Sequence, residues 1–352
     1  MRTDAFDYHL PRELIAQHPL PRRDASRLLV LHRATGAVEH RRFPDIVDYL
    51  EPGDLLVLND TRVLPARLVG RRATGGRVEL LLVAPAAEPP PRGSLWRAMV
   101  KCRGRLRPGE TVALEGGALP CVYRGRTDKG QALVAFDRQA ASLLDTLEAI
   151  GRAPLPPYIK RPPDQDPDRG ADLERYQTVY ARQPGAIAAP TAGLHFTPEL
   201  LDRLHAGGVG RTTVTLHVGL GTFKPVTAER VEDHAMHAEW FELSREAAEA
   251  VTAARAAGRR VVPVGTTATR VLETAARAPQ WGAQAGWTEL FITPGFEFRL
   301  ADALVTNFHL PRSTLLMLVA AFAGLERVLA AYDEATRLGY RFYSYGDAML
   351  LL

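Results

Sequence analysis

The chain has 352 residues, more than one domain usually holds, so its length favours about two domains. Apolar residues make up 46% and charged residues 24% of the chain, which is typical of a soluble globular protein and not of a disordered one. The longest apolar run, Leu315 to Ala323, is too short to cross a bilayer. The first residues, MRTDAFDYHLPRE, contain acids and a proline before any apolar run. We therefore expect no secretory signal, no membrane partner and a cytoplasmic location.

Charge is distributed unevenly along the chain. The whole sequence has 44 Lys and Arg against 40 Asp and Glu, but the segment from Arg62 to Ala140 has 15 against 6, a net charge of +9. The rest has 29 against 34, a net charge of −5. The two cysteines, Cys102 and Cys121, show neither CxxC nor metal-ligand spacing, so we expect no disulfide and no metal site from them.

The first segment predicts short strands and one helix. SRLLVLHRATGAVEHRRF predicts two strands around a Thr35-Gly36 turn, and FPDIVDYLEPGD predicts a helix that ends at Pro52-Gly53. DLLVLND predicts a buried strand whose polar end, Asn59-Asp60-Thr61, is a candidate edge of a site. From Arg67 the pattern changes to six short alternating strands, from ARLVGRR to QALVAFD, separated by glycine-containing turns. This spacing is typical of a small antiparallel barrel.

The remainder alternates helices and strands again. Helices are expected at SLLDTLEAIGRAP, from Thr197-Pro198, and from Arg245 to Ala257 with Gly258 as a stop signal. RRVVPVGTTATRVLETAA predicts a strand, a Gly-Thr-Thr turn and a helix. The fold class is therefore α/β, a mixed α/β main domain with an inserted small antiparallel β-barrel. We place the main domain at residues 1–61 and 154–352 and the six-stranded barrel domain at residues 62–153.

Several sequence blocks resemble one known family. They are NDTRVLPARL, PYIKR, RYQTVYA, PGAIAAPTAGLHFT, TLHVGLGTFKPV, HAMHAEWF, GTTATRVLE and NFHLPRSTLLMLVAAFAG. Together they resemble the S-adenosylmethionine:tRNA ribosyltransferase-isomerases of queuosine biosynthesis, and the similarity runs from FDYHLP to GDAML. The resemblance implies an enzyme that transfers and isomerises the ribosyl moiety of S-adenosylmethionine onto the 7-aminomethyl-7-deazaguanine wobble base of tRNA. The implied products are epoxyqueuosine-tRNA, adenine and methionine.

The resemblance also implies partners and cofactors. The anticodon loop of tRNA is the expected macromolecular partner, and S-adenosylmethionine is a co-substrate, with no further cofactor and no metal. A monomer is expected. The implied reaction requires a general base, an acid for the departing adenine and exclusion of water. The candidate catalytic residues are His195, His217 and Glu239, and the sequence leaves open which of the two histidines moves the proton.

The segment HAMHAEWF allows two interpretations. On a helix, His234 and His237 would lie on one side and, with His217, could form the centre of a metal-dependent hydrolase. In an extended segment, the same histidines would be substrate contacts beside Glu239. A third possibility for the chain as a whole is a non-catalytic tRNA-binding protein.

Further substrate contacts are expected in several loops. Thr266, Thr267 and Arg270 could hold the methionine carboxylate through turn amides and a charge-assisted bond. Phe223 and Phe308 could sandwich adenine, and Asp60 could accept from the guanine-like face of the base. Each has a structural alternative: a capped helix, core packing or a strand-end turn. The remaining candidates are Thr191, Thr222, Asn307, His309, Asn59 and Arg62.

Basic residues bunch in one barrel strand and its turn. The candidate tRNA contacts there are Arg97, Lys101, Arg103 and Arg105. Spaced along one surface, they could meet successive phosphates. An arginine-rich edge kept for solubility is the alternative.

Overall fold

The computed structural model describes residues 1–86, 95–114, 119–137, 140–162, 167–219, 221 and 226–352. The strands are β1 (Arg27–Leu31), β2 (Val38–Arg42), β3 (Leu55–Asn59), β4 (Thr61–Val63), β5 (Arg67–Arg72), β6 (Arg77–Pro85), β7 (Leu95–Cys102), β8 (Thr111–Leu114), β9 (Leu119–Arg126), β10 (Ala132–Phe136), β11 (Gln183–Ala186), β12 (Gly210–Leu216), β13 (Glu239–Leu243), β14 (Val261–Pro263), β15 (Gln284–Thr288), β16 (Leu304–Asn307) and β17 (Ala348–Leu351). The α-helices are α1 (Ala140–Ile150), α2 (Arg169–Arg175), α3 (Pro198–Ala206), α4 (Arg245–Ala256), α5 (Thr266–Ala275), α6 (Thr314–Ala323) and α7 (Leu325–Arg337).

Strands β5 to β10 close into a barrel in the order β10-β7-β6-β5-β8-β9, with every neighbouring pair antiparallel. Side chains alternate between its interior and its surface, and Val78, Leu80 and Leu82 of β6 are fully buried. Leu143 and Leu147 of α1 pack into the same core. A closed ladder leaves no strand edge unpaired. The expected six-stranded antiparallel barrel is confirmed, and so is the helix that follows it.

The rest of the chain is built around two larger sheets, and β11 pairs separately with β4. One of the larger sheets has the order β16-β17-β1-β2, and the other has the order β14-β3-β12-β13-β15. A parallel bridge between Val264 and Val305 connects them. The two sheets bury a shared core together with α3, to which Leu28, Leu58 and Leu200 contribute. Helices α6 and α7 cover the outer face of the first sheet, and α4 and α5 cover the second.

Local sequence explains where these helices begin and end. Thr197 caps α3 by accepting from the backbone N–H of Leu200, and Ser244 caps α4 in the same way through Ala247. Both helices start where the sequence predicted. The predicted FPDIVDYLEPGD helix is shorter and tighter, a 3-10 helix over Phe43–Asp48. Its two buried side chains, Phe43 and Ile46, are three residues apart, the period of a 3-10 turn.

Within the described ranges no single helix is long and apolar enough to cross a membrane. Helices α6 and α7 pass that test only as a pair, and the pair is bent by 114°.

Candidate active site

One cleft lies where parallel strands end. Strands β14, β3 and β12 are parallel neighbours, so their carboxyl ends share one edge of the sheet. Residues that follow β12, β14 and β16 line a cleft with about 660 Å³ of empty space, part of it open to solvent. They include Val218, Gly265 and Phe308. The carboxyl edge of parallel strands is the usual ligand position in open α/β sheets.

The start of α5 forms one wall of this cleft. Gly265 has φ 92°, a backbone conformation that favours glycine, and it turns the chain from β14 directly into the helix. Thr266 and Thr267 therefore present the first amides of α5, which have no partner inside the helix, next to the cleft. Asn59 fixes Thr267 by donating to its Oγ1 at 3.0 Å. Asn59 Oδ1 accepts from the N–H groups of Leu216 and Thr61, so the Asn59 side chain is fully engaged.

Asn307 and Tyr343 add polar atoms to the wall of the same cleft. Asn307 is 1% exposed and donates through Nδ2 to the Tyr343 carbonyl at 3.2 Å, yet its Oδ1 has no hydrogen-bond partner among the described residues. The buried hydroxyl of Tyr343 also has none in those ranges. Tyr343 has φ 73°, a strained conformation for tyrosine, and its ring lies 4.3 Å from that of Tyr158. Buried polar atoms without partners are costly, so a bound ligand that met them would gain affinity.

His195 lies behind this wall, and both of its ring nitrogens are engaged. Nδ1 is 2.8 Å from Ser26 Oγ, and Nε2 is 3.1 Å from Asn307 Nδ2. Full burial, with smaller contributions from Arg341 and Arg23, lowers the pKa of His195 to about 3. The ring is therefore neutral at physiological pH and holds Asn307 in place.

Three more candidates line the same cleft: Thr191, Phe308 and His309. Phe308 is fully buried and packs against Phe342 at 5.0 Å, so most of its ring belongs to the core. His309 Nε2 is 2.8 Å from Thr306 Oγ1, and burial lowers the pKa of His309 to about 3.

A second cleft adjoins the first, because Leu315 lines both. Glu239 and Arg270 form a buried ion pair on its wall. Glu239 Oε1 accepts from the backbone N–H of Gly219 at 2.8 Å, and Arg270 Nε donates to the Leu290 carbonyl at 3.1 Å. The Arg270 guanidinium is therefore directed at Glu239 on the wall of the second cleft. Thr266 and Thr267 line the first cleft instead.

His234 and His237 also line the second cleft, on an extended segment that leads into β13. His234 lies edge-on to Phe291 at 5.4 Å, and burial together with the neighbouring His237 lowers its pKa. The helix that the metal interpretation required is not formed. In the described part of the chain, no three His, Cys, Asp or Glu side chains are placed to share a metal ion.

His217 lies just beyond the end of β12, with one ring nitrogen engaged. Its Nδ1 is 2.8 Å from Thr61 Oγ1, and no hydrogen bond from the described residues reaches Nε2. The ring stacks on Trp240 at 5.1 Å with an interplanar angle of 20°. On its other side it lies so close to Gly185 that a Cβ there would come within 2.6 Å of the ring. Burial lowers the pKa of His217, and Asp60 partly offsets that effect.

Comparison with known proteins adds to this geometry. The family model described as "Queuosine biosynthesis protein" matches residues 3–351. The chain belongs to this family. A relative from Anaeromyxobacter sp. (strain Fw109-5), named S-adenosylmethionine:tRNA ribosyltransferase-isomerase, is 58% identical over 100% of this chain and 99% of its own. One of the same name from Moorella thermoacetica is 51% identical, with both chains fully covered. The crystal structure of S-adenosylmethionine tRNA ribosyltransferase from Thermotoga maritima has a TM-score of 0.56 at 41% identity, covering 99% of this chain and 100% of that one.

The remaining candidate site residues of this family member lie in different surroundings. Asp60 is 1% exposed, and its carboxylate accepts from Arg182 at 2.9 Å and from Thr215 at 2.7 Å. Arg62 is exposed and pairs with Glu148 at 2.8 Å, away from both clefts. Thr222 and Phe223 lie outside the described residues.

The barrel arginines lie in a loop that the barrel itself holds. Arg72 donates to the carbonyls of Arg103 and Arg105, each at 3.3 Å, while its Nε bonds Glu110 at 2.5 Å. Because these bonds use the carbonyls, the side chains of Arg103 and Arg105 extend into solvent. Lys101 is exposed and Arg97 half-buried on β7.

Some residues of the site were missed by sequence reasoning. Ser26 orients His195, and Tyr343 shapes the first cleft. Thr61, which the sequence marked as part of a polar strand end at the edge of a site, orients His217. Ser26 is 169 residues from its partner, and nothing in the sequence marks the backbone conformation of Tyr343.

Proposed function

We propose that this chain transfers and isomerises the ribosyl moiety of S-adenosylmethionine onto the 7-aminomethyl-7-deazaguanine wobble base of tRNA, giving epoxyqueuosine-tRNA, adenine and methionine. The observation that carries this proposal is the pair of adjoining clefts at the carboxyl edge of the sheet, in a chain more than half identical to relatives named for this activity. Two adjoining clefts suit a reaction in which a small molecule and an extruded base must meet.

S-adenosylmethionine occupies the larger cleft in this proposal. Its carboxylate lies at the first amides of α5, beside Thr266 and Thr267, where the helix dipole favours negative charge. Asn307 Oδ1 and the Tyr343 hydroxyl, which lack partners among the described residues, meet polar groups of the nucleoside. Thr191 and His309 complete the polar lining. No resident cofactor or metal enters the proposed reaction.

The second cleft holds the ribosyl end and the acceptor amine. Arg270 neutralises the charge of Glu239. The Glu239 carboxylate can still accept a hydrogen bond from a ribose hydroxyl. His234 is half-buried and His237 is exposed, and both line the second cleft. In this proposal they contact the incoming base. The proposal also keeps Thr222 as a substrate contact. It keeps Phe223 and Phe308 as the two rings that sandwich adenine.

His217 is the better candidate for the proton transfers. The sulfonium acidifies the ribose C5′ hydrogens, and a base removes one as the sugar ring opens and adenine leaves with a proton. The amine then adds, and epoxide closure expels methionine. A base needs a free lone pair, and His217 Nε2 receives no hydrogen bond from the described residues while Thr61 fixes the opposite nitrogen. Both nitrogens of His195 are engaged, so its proposed role is to position Asn307.

Turnover of tRNA that carries the aminomethyl-deazaguanine tests the activity. With S-adenosylmethionine present, we expect adenine and methionine to be released one for one with modified tRNA. Absence of release from correctly modified tRNA would refute the proposal. Stoichiometric zinc, with activity lost on chelation, would instead favour a metal-dependent hydrolase.

Two histidine variants test the roles. His217→Ala should lower kcat by about a hundredfold or more while S-adenosylmethionine binding, measured by calorimetry, stays unchanged. His195→Ala should weaken that binding through Asn307. His205→Ala is the matched control, because His205 is exposed on α3. Equal kcat for His217→Ala and His205→Ala would remove His217 from the reaction.

A further inference from the structure

A third pocket adjoins the first cleft, because Ser344 lines both. It has about 300 Å³ of empty space, part of it open to solvent. Its polar lining includes Ser26, His195, Arg22, Arg23 and Arg175. No carboxylate among the described residues lines it. We call it the arginine pocket, and a pocket lined by cations without a carboxylate favours an anion.

Two of these arginines form no ion pair with a described carboxylate. Arg23 donates only to backbone carbonyls, and its shortest bond is 2.9 Å to Glu174. Arg175 donates to the carbonyls of Leu20 at 2.8 Å and Pro21 at 3.1 Å, and its buried Nε has no partner in the described ranges. Carbonyl oxygens hold the two guanidinium groups in place but do not cancel their charge.

The charges of Arg23 and Arg175 act on each other. Burial, and after it the Arg175 cation, lower the pKa of the Arg23 guanidinium, with a smaller opposing contribution from Glu174. The neighbouring carboxylate of Asp24 accepts instead from Arg22, at 2.9 Å. Partly buried cations without an anion are costly. A bound anion would therefore stabilise the folded chain at this point.

The hydrogen bonds of His195 leave Ser26 with a free donor. Asn307 Nδ2 donates to the Tyr343 carbonyl at 3.2 Å, which identifies it as the amide nitrogen. His195 Nε2, 3.1 Å from that nitrogen, must therefore accept, and the proton of the neutral ring lies on Nδ1. Nδ1 donates to Ser26 Oγ at 2.8 Å, so the hydroxyl hydrogen of Ser26 has no acceptor among the described residues. Ser26 is 2% exposed and lines the arginine pocket, where a bound anion can accept from it.

We infer that the arginine pocket binds a phosphate group, held by the guanidinium groups of Arg23 and Arg175 and by the hydroxyl of Ser26. Guanidinium groups match phosphate oxygens in geometry, and a tetrahedral anion offers a separate acceptor to each of three donors. A bound phosphate would fix the Ser26 hydroxyl, and through it the His195 ring that holds Asn307 at the first cleft. An RNA backbone phosphate and a free phosphate ion share this chemistry.

Titration of the full chain with inorganic phosphate, at constant pH and with chloride keeping the ionic strength constant, tests the pocket. In a chain with nitrogen-15 histidine, phosphate should shift the NMR signal of His195 Nδ1 without protonating the ring, because Ser26 bonds both groups. Absence of that shift would overturn the inference. An equal shift with acetate would also overturn it, because the pocket would then not distinguish phosphate from a carboxylate.

Two variants test the donors. Arg23→Gln should raise the phosphate concentration at half-maximal shift by about tenfold or more, and Ser26→Ala should abolish the shift because the link to His195 is lost. Arg203→Gln, an exposed change on α3, is the matched control and should leave the titration unchanged.

The alternative role of Arg23 is to anchor loops through its carbonyl bonds. In that case Arg23→Gln would lower the melting temperature equally in phosphate and chloride and leave the titration midpoint unchanged, which would overturn the inference. If Arg23→Gln does not fold, the acetate comparison and Ser26→Ala still decide.

An anticodon stem-loop RNA with single methylphosphonate linkages distinguishes the two phosphate sources, and this comparison alone rests on the proposed function. For an RNA phosphate, inorganic phosphate should compete with the stem-loop, and one neutral linkage should weaken binding to wild type but not to Arg23→Gln. For free phosphate, the stem-loop and the ion should bind independently. Either result supports the pocket.

The pocket and the proposed activity can fail separately. A chain in which phosphate shifts His195 but which releases no adenine would keep the pocket and refute the activity. A chain that turns over normally, with no response of His195 to phosphate, would keep the activity and refute the pocket.

Discussion

The barrel and the two-sheet region carry charge in different ways. All ten histidines lie outside residues 62–153, whereas that segment contains the excess of arginine and lysine. In the two-sheet region, Glu239 and Arg270 form a pair in which both side chains are buried on the wall of the second cleft, and the buried Asp60 pairs with an exposed Arg182. In the barrel, Arg103 and Arg105 extend into solvent from a loop that an Arg72–Glu110 pair holds in place.

This difference indicates a division of work. Histidines, and an ion pair whose position is fixed by burial, lie beside the clefts, where chemistry requires geometry. Permanent cations on an exposed surface provide long-range attraction, which requires charge but little geometry. Changes beside the clefts should therefore affect stability and pH dependence, and changes in the barrel loop should affect salt dependence.

Breaking the buried pair should have the largest effect. Arg270→Met leaves the Glu239 carboxylate buried, with the Gly219 N–H as its one remaining donor among the described residues, and it should lower the free energy of unfolding by about 3–5 kcal/mol. Urea denaturation measures this. Glu148→Gln removes the exposed partner of Arg62 and should cost less than about 1 kcal/mol.

The same experiment has an internal check. If Glu239→Gln is combined with Arg270→Met, no uncompensated charge remains, so the double variant should be more stable than Arg270→Met alone. If Arg270→Met lowers the free energy of unfolding no more than Glu148→Gln does, the buried Glu239–Arg270 pair contributes no more to stability than an exposed pair, and the contrast between the two regions is wrong.

Reversing charge in the barrel loop should have an intermediate effect. Arg103→Glu with Arg105→Glu should weaken tRNA binding roughly tenfold or more at low salt and flatten the plot of log affinity against log salt. Filter binding across a salt series measures both quantities. Arg245→Glu, an exposed change on α4, should alter neither by as much. Unchanged slope in the loop variant would move the tRNA contact away from these residues.

Sequence reasoning predicted the architecture better than the site. Alternating strands such as RVELLLVAP predict a barrel because local periodicity reflects which side faces the core, and cap residues such as Thr197 and Ser244 mark helix starts within a few positions. The contacts of His195 and His217 depend on partners 169 and 156 residues away. The sequence alone could therefore not distinguish a histidine with two engaged nitrogens from one with a free nitrogen.

The pH dependence of stability also belongs to the two-sheet region. The folded pKa of His195 is about 3, against about 6.5 in the unfolded chain. Below pH 6.5 the unfolded chain takes up a proton that the folded ring cannot, so stability present above pH 6.5 is lost as the pH falls toward 3. Each such histidine contributes a slope of about 1.4 kcal/mol per pH unit.

His195→Asn should remove one proton from this linkage, so the free energy of unfolding should fall less steeply between pH 6 and about pH 4.5 than in wild type. His309, with the same depressed pKa, should retain its share of the slope. His205→Asn, which replaces an exposed imidazole on α3, is the control. An NMR titration in which His195 gains its proton above pH 5 would contradict the prediction. It would also reopen His195 as the proton carrier, because its ring would then reach the charged form near the working pH of the reaction.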